Sequence, residues 1–184
     1  MRKSRRSPVV TSSLIVMGVS GCGKSTLGRS LAEALGRRFV EGDTLHPPAN
    51  VAKMASGLPL DDADRWPFLG NVAAAINAAS PAPLVITCSA LKRSYRDFLR
   101  ARAGEITFVL PMIDRPALEA RLAARHGHFM PASLLDSQLA TLEVPGPDER
   151  AIRVDGTAST PHQLAEVIAR LPGAVGLPCR SSGA

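Results

Sequence analysis

A chain of 184 residues with 45% hydrophobic and 21% charged side chains has the length and mixture of one domain with a substantial core, which excludes a largely disordered protein. No apolar run approaches the roughly 20 residues that span a bilayer, so a soluble chain with no membrane partner is expected. The net charge of +6 suggests nucleic-acid binding at first, but Arg2, Lys3, Arg5 and Arg6 carry four of those charges, and the remaining +2 implies no nucleic-acid partner.

Residues 1–10 read as a disordered basic leader. Followed by Val9 to Val19, this segment mimics a secretion signal, with Val19-Ser20-Gly21-Cys22 as a cleavage box. The apolar part is short and broken by Thr11, Ser12 and Ser13, and cleavage before Cys22 would cut a glycine-rich motif. Cys22, Cys88 and Cys179 are odd in number and widely spaced, which argues against a disulfide framework and for a reducing, cytoplasmic location.

Leu14 to Gly18 is a compact strand-like run. From Lys24, apolar residues recur at helical spacing until Gly36 stops them. Phe39-Val40 begins a second strand that ends in Glu41-Gly42-Asp43. Residues 47–57 predict a short helix, and 62–79 a longer one interrupted early by Pro67. Leu84 to Cys88 is a third strand, followed by a helix over Ser94 to Arg102. Ile106 to Leu110 predicts a fourth strand, closed by the rigid Pro111. Helices over Pro116 to Arg125 and 131–142, a fifth strand over Ala151 to Val154 and an amphipathic helix over Pro161 to Leu171 complete the series. Residues 173–184, rich in Gly, Pro and Ser, read as a flexible tail.

Five strands alternating with helices predict an α/β fold of three layers, a five-stranded parallel sheet with helices on both faces. In such sheets the ligand lies beyond the carboxyl ends of the strands. There, Gly18-Val19-Ser20-Gly21-Cys22-Gly23-Lys24-Ser25 satisfies G-x-x-x-x-G-K-[ST], between a buried strand and an amphipathic helix. Glycines let the backbone curl around a phosphate chain and aim N–H groups at it, with the helix N-terminus adding partial positive charge. Gly18, Ser20, Gly21, Cys22, Gly23, Lys24, Ser25 and Thr26 are therefore the expected ATP-binding residues. Lys24 is expected to reach the β/γ-phosphates and Ser25 to ligate Mg²⁺. The motif names a phosphoryl donor and leaves the acceptor open.

The acceptor side points to a small-molecule kinase. Asp43 is placed to take the acceptor hydroxyl's proton or to hold Mg²⁺ through a water, and His46 to bond a substrate hydroxyl. Strand three ends in Cys88-Ser89-Ala90-Leu91-Lys92 without the acidic residue of nucleotide-hydrolysing motors. Arg65, Lys92, Arg93 and Arg96 cluster as cations suited to a carboxylate. Arg121 and Arg125, four apart, share a helix face before Gly127-His128-Phe129. They read as lid arginines, the lid spanning about 121–142 of a kinase domain over 11–172.

Gly18 to Thr26, Glu41-Gly42-Asp43 with Leu45-His46-Pro47, and Lys53-Met54-Ala55-Ser56-Gly57 resemble the gluconokinase family. So do Pro59-Leu60-Asp61-Asp62, Asp64-Arg65-Trp66-Pro67, Cys88-Ser89-Ala90-Leu91-Lys92 with Tyr95-Arg96-Asp97, Gly127-His128-Phe129, Gln138 to Glu143 and Pro145 to Arg150. The resemblance covers roughly residues 14–156. It implies transfer of the ATP γ-phosphate to D-gluconate, giving 6-phosphogluconate for the pentose phosphate or a related pathway. It further implies a cytoplasmic homodimer with a nucleoside-monophosphate-kinase-like fold. By position, Asp43 would activate the acceptor, Arg65, Lys92 and Arg96 would face the substrate, and Arg121 and Arg125 the phosphates. Glu41 stands where the family often has Asp. From the residues alone, shikimate or a nucleoside monophosphate remains an alternative acceptor, and a nucleic-acid-binding or regulatory P-loop protein an alternative class.

Overall fold

In the computed structural model, residues 12–124 and 132–172 are described. The leader, the tail, Arg125 and the Gly127-His128-Phe129 segment lie outside them. Strands β1 (Ser13–Val16), β2 (Phe39–Val40), β3 (Val85–Thr87), β4 (Ile106–Met112) and β5 (Ala151–Asp155) form one sheet in the order β2-β3-β1-β4-β5. Every pairing is parallel. Each crossover carries helix, α1 (Lys24–Leu35), α2 (Pro48–Ala55), α3 (Asp62–Ala78), α4 (Arg93–Ala103), α5 (Arg115–Ala123) and α6 (Ala132–Thr141), and α7 (Thr160–Arg170) follows β5.

Alternation along the strands divides the core between the two faces. Ile15, Met17, Ile86, Phe108 and Leu110 pack with Phe68, Leu69 and Val72 of α3 and Tyr95 and Leu99 of α4. Leu14, Val16, Val85 and Val109 turn the other way, onto Leu27 and Leu31 of α1 and Val167 of α7. The central strand is apolar throughout because both of its faces are covered. A third, smaller cluster joins Val19 and Cys22 to Leu118 of α5 and Leu135 of α6, so the helix leading into the expected lid and the helix within it rest on the glycine-rich loop.

Two prolines behave differently from expectation. Helix α3 runs unbroken past Pro67, opened by a capping box in which Asp61 accepts from the Asp64 amide and Asp64 from the Asp61 amide. The bond that Pro67 cannot make would have gone to Ala63, and both residues are exposed, so water can reach that carbonyl. Pro111 does not end β4; it pairs with Val154 inside the strand. The Met17 amide donates to the Val109 carbonyl at 2.8 Å, so the Val109 peptide faces β1. Two residues on, Pro111 faces the same way but past the last β1–β4 pair, Val16 with Val109, where an N–H would have no strand partner.

Candidate active site

The glycine-rich loop leaves β1 with Gly18, Gly21 and Gly23 at φ of 125°, 82° and 97°, all in the left-handed half of the map. Gly18 donates to the Ser89 carbonyl at 3.1 Å, which ties the loop to the segment after β3. Lys24 folds back so that Nζ donates to the Val19 carbonyl at 3.0 Å. The Ser20 amide donates at 2.7 Å to Oε1 of Gln138, on α6. Both groups thus satisfy themselves with oxygens from the protein where a phosphate chain would offer its own. Ser25 sits half-buried in the first turn of α1. A cleft beside the loop is lined by Gly21, Cys22, Gly23, Thr26, Arg121, Ala158 and Gln163. Arg121 donates across it to the Gly156 carbonyl at 2.7 Å, and Gln163 donates to the Ala158 carbonyl at 2.8 Å.

Across the loop, β2 runs into a 3₁₀ turn over Gly42–Leu45. A Cβ on Gly42 would lie 1.7 Å from the Thr87 carbonyl oxygen, so only glycine permits this approach. The Gly42 amide donates to the Thr87 hydroxyl at 2.8 Å, and that hydroxyl donates to Glu41. Arg29 also reaches Glu41, at 3.4 Å. Glu41 is therefore consumed in holding the turn. Asp43 is exposed, and its carboxylate has no hydrogen-bond or ion-pair partner among the described residues; its backbone carbonyl accepts from the His46 amide.

His46 stacks on Phe68 with ring centroids 3.7 Å apart and planes 8° apart. Its Nδ1 meets Asn50 Nδ2 at 3.3 Å. Partial burial lowers its pKa; Asp43 pulls the other way and Arg65 reinforces the fall.

The expected cation cluster divides sharply. Arg65 is only 9% exposed, and its Nε and Nη2 both donate to the Leu60 carbonyl at 3.2 and 3.1 Å. Among the described residues no carboxylate lies within ion-pair distance of it. Lys92 grips both oxygens of Asp62 at 2.7 and 2.8 Å, and the Tyr95 hydroxyl donates to the same carboxylate. These donors, Lys92 first, hold the Asp62 carboxyl below its usual range. Lys92 is thus already neutralised. Burial, and then the bond to Asp62, pushes the Tyr95 phenol up.

Arg96 corrects the expectation of a substrate-facing side chain. It is 0% exposed, with Nε and Nη2 bidentate on Glu149 at 2.6 and 2.8 Å. Its Nη1 donates to the Ala90, Leu91 and Glu143 carbonyls. Those bonds hold the turn at Ala90, whose φ of 42° is left-handed. Arg93 pairs with Asp148 and Asp97 on the surface. Helix α5 ends at Ala123, two residues short of Arg125, and Arg121 borders the cleft with its Nη1 about 3.7 Å from the Cβ position of Gly23.

Thr87, Asp62 and Gln138 bear on the site and escape a reading by motif. Asp62 and Gln138 lie in the Pro59-Leu60-Asp61-Asp62 and Gln138 to Glu143 segments of the resemblance, which were the available signal. Cys88, fully buried after β3, has its thiol pushed up to about 12 by burial and stays protonated. Among the described residues, no three His, Cys, Asp or Glu side chains are grouped to hold a metal ion, and no helix is long and apolar enough to cross a membrane.

A family model for the AAA domain matches residues 14–145. A gluconokinase of Gluconobacter oxydans is 54% identical over 159 residues, covering 84% of this chain and 88% of its own. The crystal structure of a gluconokinase from Sinorhizobium meliloti superposes with a TM-score of 0.80 at 48% identity, over 91% of this chain and 93% of that one. A sugar kinase from Janibacter, solved without ligand, superposes with a TM-score of 0.83 at 41% identity, over 91% of this chain and 99% of that one.

Proposed function

Because the chain belongs to the gluconokinase family, within the AAA-domain proteins, we propose that it is an ATP-dependent kinase that phosphorylates D-gluconate on its 6-hydroxyl. The observation that carries the acceptor assignment is the contrast among the cations. Arg65 is a nearly buried guanidinium without a carboxylate partner among the described residues, whereas Lys92 and Arg96 are neutralised by Asp62 and Glu149. A buried, unpaired cation is costly unless a ligand supplies the counter-charge, and a sugar acid brings one carboxylate. Asp43, unengaged on the neighbouring turn, is the group for the hydroxyl at the other end.

The reaction balances as an in-line displacement. The acceptor oxygen forms a bond to the γ-phosphorus, the bond from that phosphorus to the β,γ-bridging oxygen breaks, and ADP leaves. The acceptor's proton passes to Asp43, which orients the hydroxyl beforehand. Lys24, released from the Val19 carbonyl, neutralises charge on the β/γ-phosphates, and the loop amides, Ser20 among them, bond their oxygens. Mg²⁺ carried by ATP would be held on the protein side by the Ser25 hydroxyl and would supply charge neutralisation on the phosphates. Arg121 borders the ATP cleft and acts there as a lid cation, and Arg125, outside the described residues, is proposed for the same role by its sequence position. The enzyme is further proposed to be a cytoplasmic homodimer whose product enters the pentose phosphate or a related route.

ADP release measured with ATP and Mg²⁺ against D-gluconate, shikimate, nucleoside monophosphates and no acceptor tests this reading. Fast release with gluconate alone is the expected result. Release with another acceptor would leave the donor site intact and discard the gluconate assignment. Silence from a folded sample that binds ATP would return the protein to a regulatory class.

A further inference from the structure

Asn50 is 4% exposed and lies on α2, outside the glycine-rich loop and the turn that carries Asp43, yet its amide occupies a decisive position. Its Nδ2 donates to the Asp64 carbonyl at 2.8 Å and meets Nδ1 of His46 at 3.3 Å. A backbone carbonyl can only accept, so the Asn50 atom facing it is the NH₂ group. The same NH₂ faces the ring, so Nδ1 must be the accepting nitrogen. A neutral imidazole that accepts at Nδ1 carries its proton on Nε2. Stacking on Phe68 fixes the plane of the ring. The Asp64 end is itself anchored, because the Asp61–Asp64 capping box and the contacts of Lys53 to both carboxylates tie α2 to the start of α3.

We propose that Asn50 is a positioning residue that locks His46 as the Nε2–H tautomer, so that His46 donates a hydrogen bond to a substrate hydroxyl oxygen instead of taking its proton. Asp43 and Arg65 are the charged groups that act on this ring, and burial together with Arg65 favours its neutral form. Asp43 then accepts and His46 donates. A hydroxyl between them is held at its proton and at its oxygen at once, which a carbonyl or a deoxygenated carbon cannot match. Proton transfer is thereby left to Asp43. The inference rests on the polyhydroxy-acid reading of the site for its substrate half and on the hydrogen-bond geometry alone for the tautomer.

Nitrogen-15 NMR of the ligand-free full chain decides the tautomer, with the His46 signals identified by their loss in His46→Gln. A neutral ring with a protonated Nε2 is expected at neutral pH, changing to a tautomer mixture in Asn50→Ala. A protonated Nδ1 or a cationic ring in the wild type overturns the inference. Kinetics decide the role: Asn50→Ala should raise the gluconate KM about tenfold, one substrate hydrogen bond, with kcat and the ATP KM changed less than about twofold. Loss of a positioned amide could also loosen α2, so two variants in the native Asn50 background serve as a second arm. His46→Gln, whose amide can present a donor near the Nε2 position, should raise the gluconate KM several-fold less than His46→Leu, which has no donor and should show the full tenfold rise. Equal and large losses of kcat in both would make the ring a proton acceptor and overturn the inference. A wild type inert toward gluconate yet carrying Nε2–H would overturn the acceptor reading and the substrate half with it. An active wild type carrying Nδ1–H would overturn this inference alone.

Discussion

Replacing Arg96 by Met separates a structural arginine from a substrate-binding one. The substitution removes both bonds to Glu149 and leaves a carboxylate whose side chain is 3% exposed with, among the described residues, the Gly146 amide at 3.1 Å and Arg100 at 3.4 Å. It also strips one donor from the Ala90, Leu91 and Glu143 carbonyls. Breaking a buried pair from one side costs about 3–5 kcal/mol. The carboxyl of Glu149, held down from 4.5 to about 2 chiefly by Arg96, independently corresponds to about 3 kcal/mol. At about 2–4 °C per kcal/mol for a chain of this length, the midpoint of thermal unfolding should fall by about 6–20 °C. The pH dependence has a definite sign. Glu149 is depressed in the folded state, so its contribution is complete above the ordinary value of 4.5 and is lost as pH falls towards 2. Circular dichroism melts from pH 7 down to pH 3 should show the gap between wild type and Arg96→Met narrowing in acid. The double variant Arg96→Met, Glu149→Leu should recover most of the loss at pH 7, because no buried charge remains. An unchanged midpoint accompanied by a large rise in gluconate KM would refute the structural assignment and return Arg96 to the substrate.

Arg65→Met should behave in the opposite way: the melting midpoint holds or rises, because a nearly buried cation with no carboxylate partner among the described residues is removed, while the gluconate KM rises about 100-fold or more. A stability loss comparable to that of Arg96→Met, at unchanged KM, would show Arg65 to be structural. Asp43→Asn keeps the shape of an exposed side chain, so ATP affinity measured by calorimetry should stay within about twofold while turnover falls about 10²–10⁴-fold; near-normal turnover removes Asp43 from proton transfer. Gly42→Ala drives a methyl to 1.7 Å from the Thr87 carbonyl and must displace the turn that carries Asp43. Turnover should drop about 100-fold with ATP binding retained, and wild-type kinetics would contradict the packing described.

The sequence by itself determined whatever depends on neighbours along the chain. The glycine-rich loop is contiguous, so its glycines, Lys24 and Ser25 were legible from spacing and from the strand and helix around them. Helix α1 stops where expected, at Gly36, which sits at φ 63° and caps the helix. Alternation predicted five parallel strands because a strand covered on both faces must be apolar on both. The two prolines misled, since whether a missing N–H matters depends on what faces it. The strand order β2-β3-β1-β4-β5 belongs to the tertiary structure, and so does the availability of each functional group. Arg65, Lys92 and Arg96 are equal cations on paper. They become a guanidinium with no carboxylate partner among the described residues, a lysine neutralised by Asp62 from 30 positions away and a clamp on Glu149 from 53 positions away. Gln138 reaches Ser20 across 118 positions, and Asn50 selects a proton position on His46 through a carbonyl of another helix. A charge or a proton is free or committed according to partners within about 4 Å, and the folded chain chooses those partners through contacts that local periodicity does not encode.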